Sequence, residues 1–459
     1  MRIRRLEAKN FRALRDFTID FPDEAVIVLA GENGSGKSSI LDCLAIMMTL
    51  LAKILAEDLP RSGDLPRHWD EQKKEKFIAK LREMQSTGFQ HQLVQGAEVH
   101  PSDVAEGTSS GALIVTATYK GEEAAWPLSF TLGPAREIES TVSLSELYPL
   151  ARPIVEQLCS ETDAALPPLV YYPVDRYVGD LSGLWGQEGF PTEPVAVYFE
   201  ALKPARLEFQ EFFTWFRYRE DLENERRVED SKYRDQQMNA VRQSVQSMIR
   251  GFSDLRVRRN PPRMVVTKRF PEEGEALELE ITQLSGGEKG LITMVADLAR
   301  RLAMANPNHP EPLKGEGLVL IDEIELHLHP AWQRSIIPTL TKTFPNCQFI
   351  VATHSPQVIS ELRTESLFLL RQSPSGITAE GPLKCFGRDS NRILEDLLGV
   401  SERPEDIKED LLQYFRYIDS GEMTKAKQLR AKLEKEIGAD EPEFVKADVL
   451  TRAKEMLAE

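Results

Sequence analysis

The sequence is expected to fold as an α/β layer structure with a mostly parallel sheet, and three observations lead there. Short apolar runs recur at Ala25–Ala30, Leu169–Pro173, Gly317–Ile321 and Gln348–Ala352. Such runs suit strands covered on both faces. Helix-forming stretches follow most of them, at Lys37–Ala56, Ala331–Phe344 and Pro356–Leu362, with another at Glu288–Ala305. A glycine-rich turn, GENGSGKS at Gly31–Ser38, joins the first run to the first helix. Strands alternating with helices at short spacing favour a parallel sheet with helices on its faces.

In chain order, Ile3 and Leu6 flank a basic strand, and Phe17, Ile19 and Phe21 alternate, so the first thirty residues read as β structure. Between Glu57 and Pro168 the pattern is uneven. Lys73–Met84 predicts a charged helix, His91–Gly111 a polar mobile loop, and Ala112–Tyr119 with Trp126–Leu132 a strand pair around Lys120–Glu122. Pro194–Met248 is rich in helix formers, and its aromatics at 209–218 read as core or dimer packing more than as a base-stacking platform. The charged second half, Glu220–Arg250, suggests a helical hairpin arm. Met264–Lys268 and the alternation of Leu277, Leu279 and Ile281 return to β structure, and the chain beyond Pro382 is helical and acidic. The division that results is a first core part at 1–56 and an insert with a helix and a β-hairpin at 57–168. A returning core strand and loop at 169–192 and a helical insert or arm at 193–262 come next. The second core part spans 263–381, with a helical tail at 382–459.

Composition excludes several classes. Of 459 residues, 41% are hydrophobic and 28% charged, ordinary for a globular protein and too apolar for a disordered one. No run reaches the roughly 18–20 uninterrupted apolar residues of a membrane helix; Cys43–Ala56 is short and carries Lys53. The start, MRIRRLEAKNF, is basic without an apolar run behind it, which argues against a secretory signal. Cys43, Cys159, Cys347 and Cys385 have no close spacing and suit a reducing cytoplasm. A net charge of −16 argues against nucleic-acid binding over the whole surface. One local exception exists: Arg256, Arg258, Arg259, Arg263, Lys268 and Arg269 fall in a stretch without an acid. It could track a phosphate backbone, or equally be a solvated face or an intramolecular partner for the acidic tail.

Four motifs carry chemistry. GENGSGKS fits the phosphate-loop pattern G-x-x-x-x-G-K-[ST]. Backbone N–H groups through Gly31, Asn33, Gly34, Ser35 and Gly36 can converge on phosphate oxygens, at a helix start continued by Ser38 and Ser39. Lys37 would reach the β- and γ-phosphates, and Ser38 would offer its hydroxyl to Mg²⁺. LVLIDE at Leu318–Glu323 is an apolar strand ending in two acids; Asp322 suits the Mg²⁺ side and Glu323 the attacking water. LSGGE places Ser285, Gly286, Gly287 and Glu288 at a helix N-terminus, a second anion site that a simple nucleotide kinase does not need. THSP puts His354 at the end of a strand, beside the crevice of an open sheet. His327 and His329 form an H-x-H beside acids, too tight for one tetrahedral metal site without distant ligands.

In this order the four motifs resemble the ABC-type P-loop NTPases. The opening RIRRLEAKNFRAL and the run DEIELHLHP narrow the resemblance to the branch holding the RecF, SMC and OLD proteins. Within that branch, with YYPVDR at Tyr171–Arg176, the chain looks most like PtuA-type ATPases of Septu anti-phage systems and related retrons. The resemblance implies a split core with an N-terminal antiparallel β lobe, Mg²⁺ and ATP as cofactor and substrate, and a head-to-tail dimer or a higher oligomer built from it. Each ATP would lie between Gly31–Ser38 of one copy and Ser285–Gly287 of the other. Glu323 would be catalytic, His354 would contact the γ-phosphate, Arg12 would sit near the phosphates, and Ile324–Pro330 would cross the interface. Two departures stand out: Ile324 replaces the usual proline, and no glutamine marks the expected glutamine loop, where Asp175 or Arg176 falls.

A transporter subunit would need neither the NFRA opening nor the long interval between Ser38 and Leu284. The Glu200–Arg250 region is too short and lacks the sustained heptads of an SMC tether. After Pro382 no strand-borne carboxylate pair suggests the nuclease domain of OLD proteins. The expectation is a cytoplasmic ATPase subunit of a defence complex that controls a separate HNH-type nuclease. DNA, or a retron reverse transcriptase with its msDNA, would be a further partner, with no membrane contact. The competing expectation is a RecF-like DNA-binding ATP switch in repair or recombination.

Overall fold

The computed structural model describes residues 1–57, 90–92, 99–160, 165–176, 194–203, 209–249, 251–270 and 274–458. The helix expected at Lys73–Met84 lies outside the described residues. The chain forms two compact units, Met1–Arg388 and Asp389–Glu459.

In the first unit, β1 (Arg2–Phe11) and β2 (Leu14–Asp20) pair antiparallel, burying Leu6, Ala8 and Phe11 against Leu14, Phe17 and Ile19. Alternate residues face solvent, the period of a half-buried sheet. β3 (Val26–Gly31) is buried at every position and leads through the glycine-rich turn into α1 (Lys37–Glu57). By length and composition α1 could cross a membrane, contrary to the sequence expectation, yet most of it is buried inside the unit as a core helix.

The segment 57–168 is not a separate insert. It supplies β4 (Gln90–Gln92), β5 (Ser110–Tyr119), β6 (Glu122–Leu132) and β7 (Ile138–Ser143) to the lobe begun by β1 and β2. The order is β2-β1-β5-β6-β7-β4, because β5 pairs antiparallel with β1. The expected mobile loop at His91–Gly111 is partly anchored: His91 lies in β4, and Val99, Val104, Ala105 and Asp103 are buried. The helix α2 (Tyr148–Ser160) follows.

β8 (Leu169–Tyr172) returns to the second sheet. The helices α3 (Phe209–Glu229) and α4 (Gln236–Met248) form the expected pair but do not project as an arm. Phe209, Phe212, Phe213, Trp215 and Phe216 are buried, so the aromatic cluster is core. Glu220 and Glu223 are buried too, each ion-paired with Arg242. β9 (Phe252–Arg259) begins inside the expected arm and joins β10 (Pro262–Arg269) and β11 (Ala276–Glu280) in a three-stranded sheet.

The helix α5 (Gly286–Ala305), strand β12 (Gly317–Ile321), helix α6 (Pro330–Thr343), strand β13 (Cys347–Thr353) and short α7 (Pro356–Ile359) come next. β14 (Leu367–Ser373) and β15 (Gly376–Leu383) close the unit. The central sheet runs β15-β14-β3-β13-β12-β8, parallel from β8 to β14, with β15 antiparallel at the edge. This is the α/β core that the apolar runs predicted. The second unit contains α8 (Glu405–Asp419), α9 (Met423–Ile437) and α10 (Pro442–Ala458) around Leu411, Tyr414, Leu433 and Phe444. It starts at Asp389, a few residues after the expected 382.

Candidate nucleotide site

Four neighbouring parallel strands deliver the motifs to one edge. In register, Thr353 pairs with Ala30, and Ile321 pairs with both Val351 and Tyr172. The phosphate loop after β3, Asp322–Glu323 after β12, His354 after β13 and Arg176 after β8 therefore leave the sheet side by side. Ligands of open α/β sheets bind at such carboxyl ends.

Gly36 has φ +92°, a conformation that favours glycine, and a Cβ there would lie 2.3 Å from Ile377 Cδ1, so the end of that side chain would have to yield. The Lys37 ammonium lies across its own loop and donates to the carbonyls of Gly31 at 3.0 Å and Glu32 at 2.8 Å. Desolvation lowers its pKa, against the attraction of Asp322, Glu323 and Glu325. Ser38 is exposed on the first turn of α1, and its hydroxyl favours the ionised form of the buried Asp322 carboxylate. Burial raises the pKa of Asp322, and its Oδ1 has no hydrogen-bond partner. An orphaned buried carboxylate oxygen beside a hydroxyl calls for a cation, so these residues fit Mg²⁺. Among the described residues no group of three or more His, Cys, Asp or Glu could hold a metal, so His327 and His329 form no such site. A single carboxylate, a hydroxyl and phosphate oxygens are the usual protein-side needs of Mg²⁺.

The turn after Asp322 is held from two sides. Glu323 has φ +44°, a left-handed conformation uncommon outside glycine. Arg176 donates from Nε to the Pro173 carbonyl at 3.0 Å and from its terminal nitrogen to the carbonyls of Asp322 and Glu323. Desolvation lowers its pKa to about 10 despite Asp322, Glu325 and Glu323 nearby. Across the turn, Glu325 accepts from Thr353 Oγ1 at 2.7 Å and from the His354 backbone N–H. Gln333 donates to the Leu328 carbonyl at 2.8 Å and accepts from Ser355 Oγ at 2.7 Å. Burial followed by Lys37 holds the pKa of His354 below the ordinary imidazole value. Glu325 and Gln333 were missed from sequence; an acid three residues past Asp322 in DEIELHLHP was the available signal for the first.

Arg12 donates to Asp42 at 2.6 Å and Asp103 at 2.9 Å. Its guanidinium thus sits beside α1 one turn beyond Ser38, bound to acids. Tyr171 bonds the same Asp42.

Ser285 caps α5 in a reciprocal box: its hydroxyl accepts from the Glu288 N–H at 3.3 Å, and Glu288 Oε2 accepts from Ser285 N at 2.9 Å. Lys268 fixes the other Glu288 oxygen at 2.7 Å. A Cβ on Gly287 would lie 2.2 Å from the His327 carbonyl oxygen, so signature and interface loop are packed together within one chain. Among the described residues no hydrogen bond joins Ser285–Glu288 to Gly31–Ser38.

Further along α5, Asp297 is fully enclosed with Arg300 and Arg301. Its Oδ1 accepts from Arg300 at 3.1 and 2.6 Å, and its Oδ2 from Arg301 at 2.8 Å and the Tyr172 hydroxyl at 3.1 Å. Burial pushes its pKa up, but Arg301 and Arg300 prevail and hold it at about 2.

The basic stretch is engaged within the molecule. Arg258 donates to Glu278 at 3.0 and 2.7 Å, Arg256 pairs with Glu278 and with Asp254 at 3.0 Å, and Arg259 pairs with Glu220 and Asp221. Hydrogen bonds from Arg258 and Arg256 pull Glu278 down to about 2. Arg263 lies opposite Arg258 in the sheet. The intramolecular partners are thus acids of β9, β11 and α3, and three of the four DNA candidates are already paired.

Two family profiles and several relatives match the chain. The profile described as "AAA ATPase domain" matches residues 1–90, and that described as "AAA domain, putative AbiEii toxin, Type IV TA system" matches residues 182–360. The Retron Ec83 probable ATPase of Escherichia coli is 28% identical over 97% of this chain and 85% of its own length. The Retron Vc95 probable ATPase of Vibrio cholerae serotype O1 biovar El Tor is 25% identical over 92% and 83%. Septu protein PtuA of Bacillus mycoides (strain KBAB4) is 33% identical over 24% of this chain and 17% of its own. Among solved structures, the SMC head domain from Thermotoga maritima aligns with TM-score 0.41 and 14% identity, over 83% of this chain and 99% of that one. The chain is an ATPase, similar along nearly its whole length to retron ATPases and over about a quarter of it to Septu protein PtuA.

Proposed function

We propose that this chain is the ATP-hydrolysing subunit of an anti-phage defence complex, in which two copies associate head to tail and their nucleotide state holds or releases a separate nuclease, of HNH type. The observation that carries the proposal is the convergence of four strand ends on one edge, on a chain similar to retron ATPases along nearly its whole length. Lys37 and the loop N–H groups bind the phosphates of ATP. Ser38 and Asp322 would hold Mg²⁺, which would supply charge neutralisation to the phosphates. Glu323 orients the attacking water and accepts its proton. His354, kept neutral by burial and by Lys37, offers a ring nitrogen near the γ-phosphate. The exposed Ser285 and Gly286 at the start of α5 supply phosphate donors to the other copy's ATP.

The test is Glu323→Gln. It should bind ATP with parental affinity, hydrolyse it at least about a hundredfold more slowly, and accumulate a closed dimer by mass measurement in ATP. Parental turnover would remove Glu323 from catalysis. Co-purification with the product of the adjacent reading frame tests the partner; isolation without any nuclease subunit counts against nuclease control. The repair-switch alternative needs a DNA contact, and the arginines of the basic stretch are largely taken up by acids.

A further inference from the structure

We propose that Arg176 is a positioning residue of the ATPase site, setting the Asp322–Glu323 peptide and through it the direction of the Glu323 carboxylate. The inference rests on the reading of Glu323 as the catalytic carboxylate. Arg176 belongs to YYPVDR, the motif that leaves β8, and β8 lies beside β12 in the sheet. A straight exit from β8 thus brings the side chain under the turn that ends β12.

The hydrogen bonds specify the role. The guanidinium spends its donors on main-chain oxygens: Pro173 in its own loop, then Asp322 and Glu323 in the turn. A cation bonded to carbonyls fixes backbone, whereas one bonded to a carboxylate mainly balances charge. The two turn carbonyls lie on either side of the Glu323 Cα. Holding both orients the peptide planes before and after it, which fixes where Cβ points. Glu323 needs such support, because φ +44° is a conformation that persists only when its surroundings impose it. Glu325 completes the clamp from the opposite strand through Thr353 and His354. Arginine suits this task through its planar fork; the point charge of lysine on a flexible stem does not reproduce it.

The experiment compares Arg176→Lys, Arg176→Gln and Arg176→Ala in the full chain, each alone and combined with Glu323→Gln. Arg176→Lys should lower kcat about tenfold or more, since small misplacements of a catalytic group are costly. MgATP affinity should stay within about twofold, because no phosphate contact is removed. Added guanidinium ion should restore part of the Arg176→Ala turnover. Combined with Glu323→Gln, none of the three should lower the rate further, as expected of residues acting as a unit. Should Arg176→Ala fail to fold, Arg176→Lys and Arg176→Gln carry the comparison. Parental kcat in Arg176→Lys, an effect confined to KM, or losses that multiply with Glu323→Gln would each overturn the assignment. Normal hydrolysis by Glu323→Gln alone would overturn the catalytic reading itself. An inert Glu323→Gln beside a fully active Arg176→Lys would overturn only the role of Arg176.

Discussion

Asp297→Asn should destabilise the first unit strongly at neutral pH and only about half as much at pH 3. Asp297 is 2% exposed and accepts four hydrogen bonds, three from Arg300 and Arg301 and one from Tyr172. An asparagine turns one acceptor into a donor facing donors and removes the charge that balances two buried arginines. The lower folded-state pKa sets the sign: ionised Asp297 stabilises the fold above its unfolded value of 3.8, and the contribution is lost as pH falls towards about 2. A gap of nearly two units is worth about 2–3 kcal/mol at pH 7 and roughly half of that at pH 3. The assay is urea unfolding of parent and variant between pH 7 and pH 3, read as the difference in free energy. A difference that stays constant across that range, or is absent at pH 7, would refute the reasoning.

Two further predictions concern the signature and the basic stretch. Gly287→Ala puts a Cβ 2.2 Å from the His327 carbonyl oxygen, so the interface loop must shift. It should cost about 1–3 kcal/mol of stability and abolish turnover while ATP still binds the phosphate loop; a parental melting temperature with full turnover would contradict the packing. Neutralising Arg256, Arg258 and Arg259 together should cost about 1–2 kcal/mol, chiefly by stripping a partner from buried Glu220, and leave the salt dependence of any DNA binding unchanged. A flattened slope in a salt titration would mean that these arginines contact phosphate.

The core was legible because its strands are buried on both faces and so read as uninterrupted apolar runs, as β3, β12 and β13 do. Motif placement followed, since Gly31–Ser38, Asp322–Glu323 and His354 each begin where such a run stops. What sequence could not show was partnership across long separations. β5 was read as half of a local hairpin, and it is, but it also pairs with β1 more than a hundred positions earlier. Alternation of side chains encodes a buried face, not the identity of the neighbouring strand. The basic stretch misled for a related reason: its acids, Glu220, Asp221 and Glu278, lie outside it in sequence and meet it only after α3, β9 and β11 have folded. Arg176 and Gln333 act through backbone and hydroxyl bonds that no spacing rule announces.

The position of β3 in the central sheet also governs when the site can exist. Its two neighbours, β13 and β14, begin at Cys347 and Leu367, while β3 ends at Gly31. During synthesis the phosphate-loop strand and the apolar α1 leave the ribosome with no sheet to join until more than three hundred further residues have been made. Pairing at such separation is slow, and the waiting segments are open to aggregation. Any fragment that stops before β13 therefore has a phosphate-binding sequence but no crevice to place it in. Nucleotide competence arrives late and all at once, when the last parallel strands slot in beside the first.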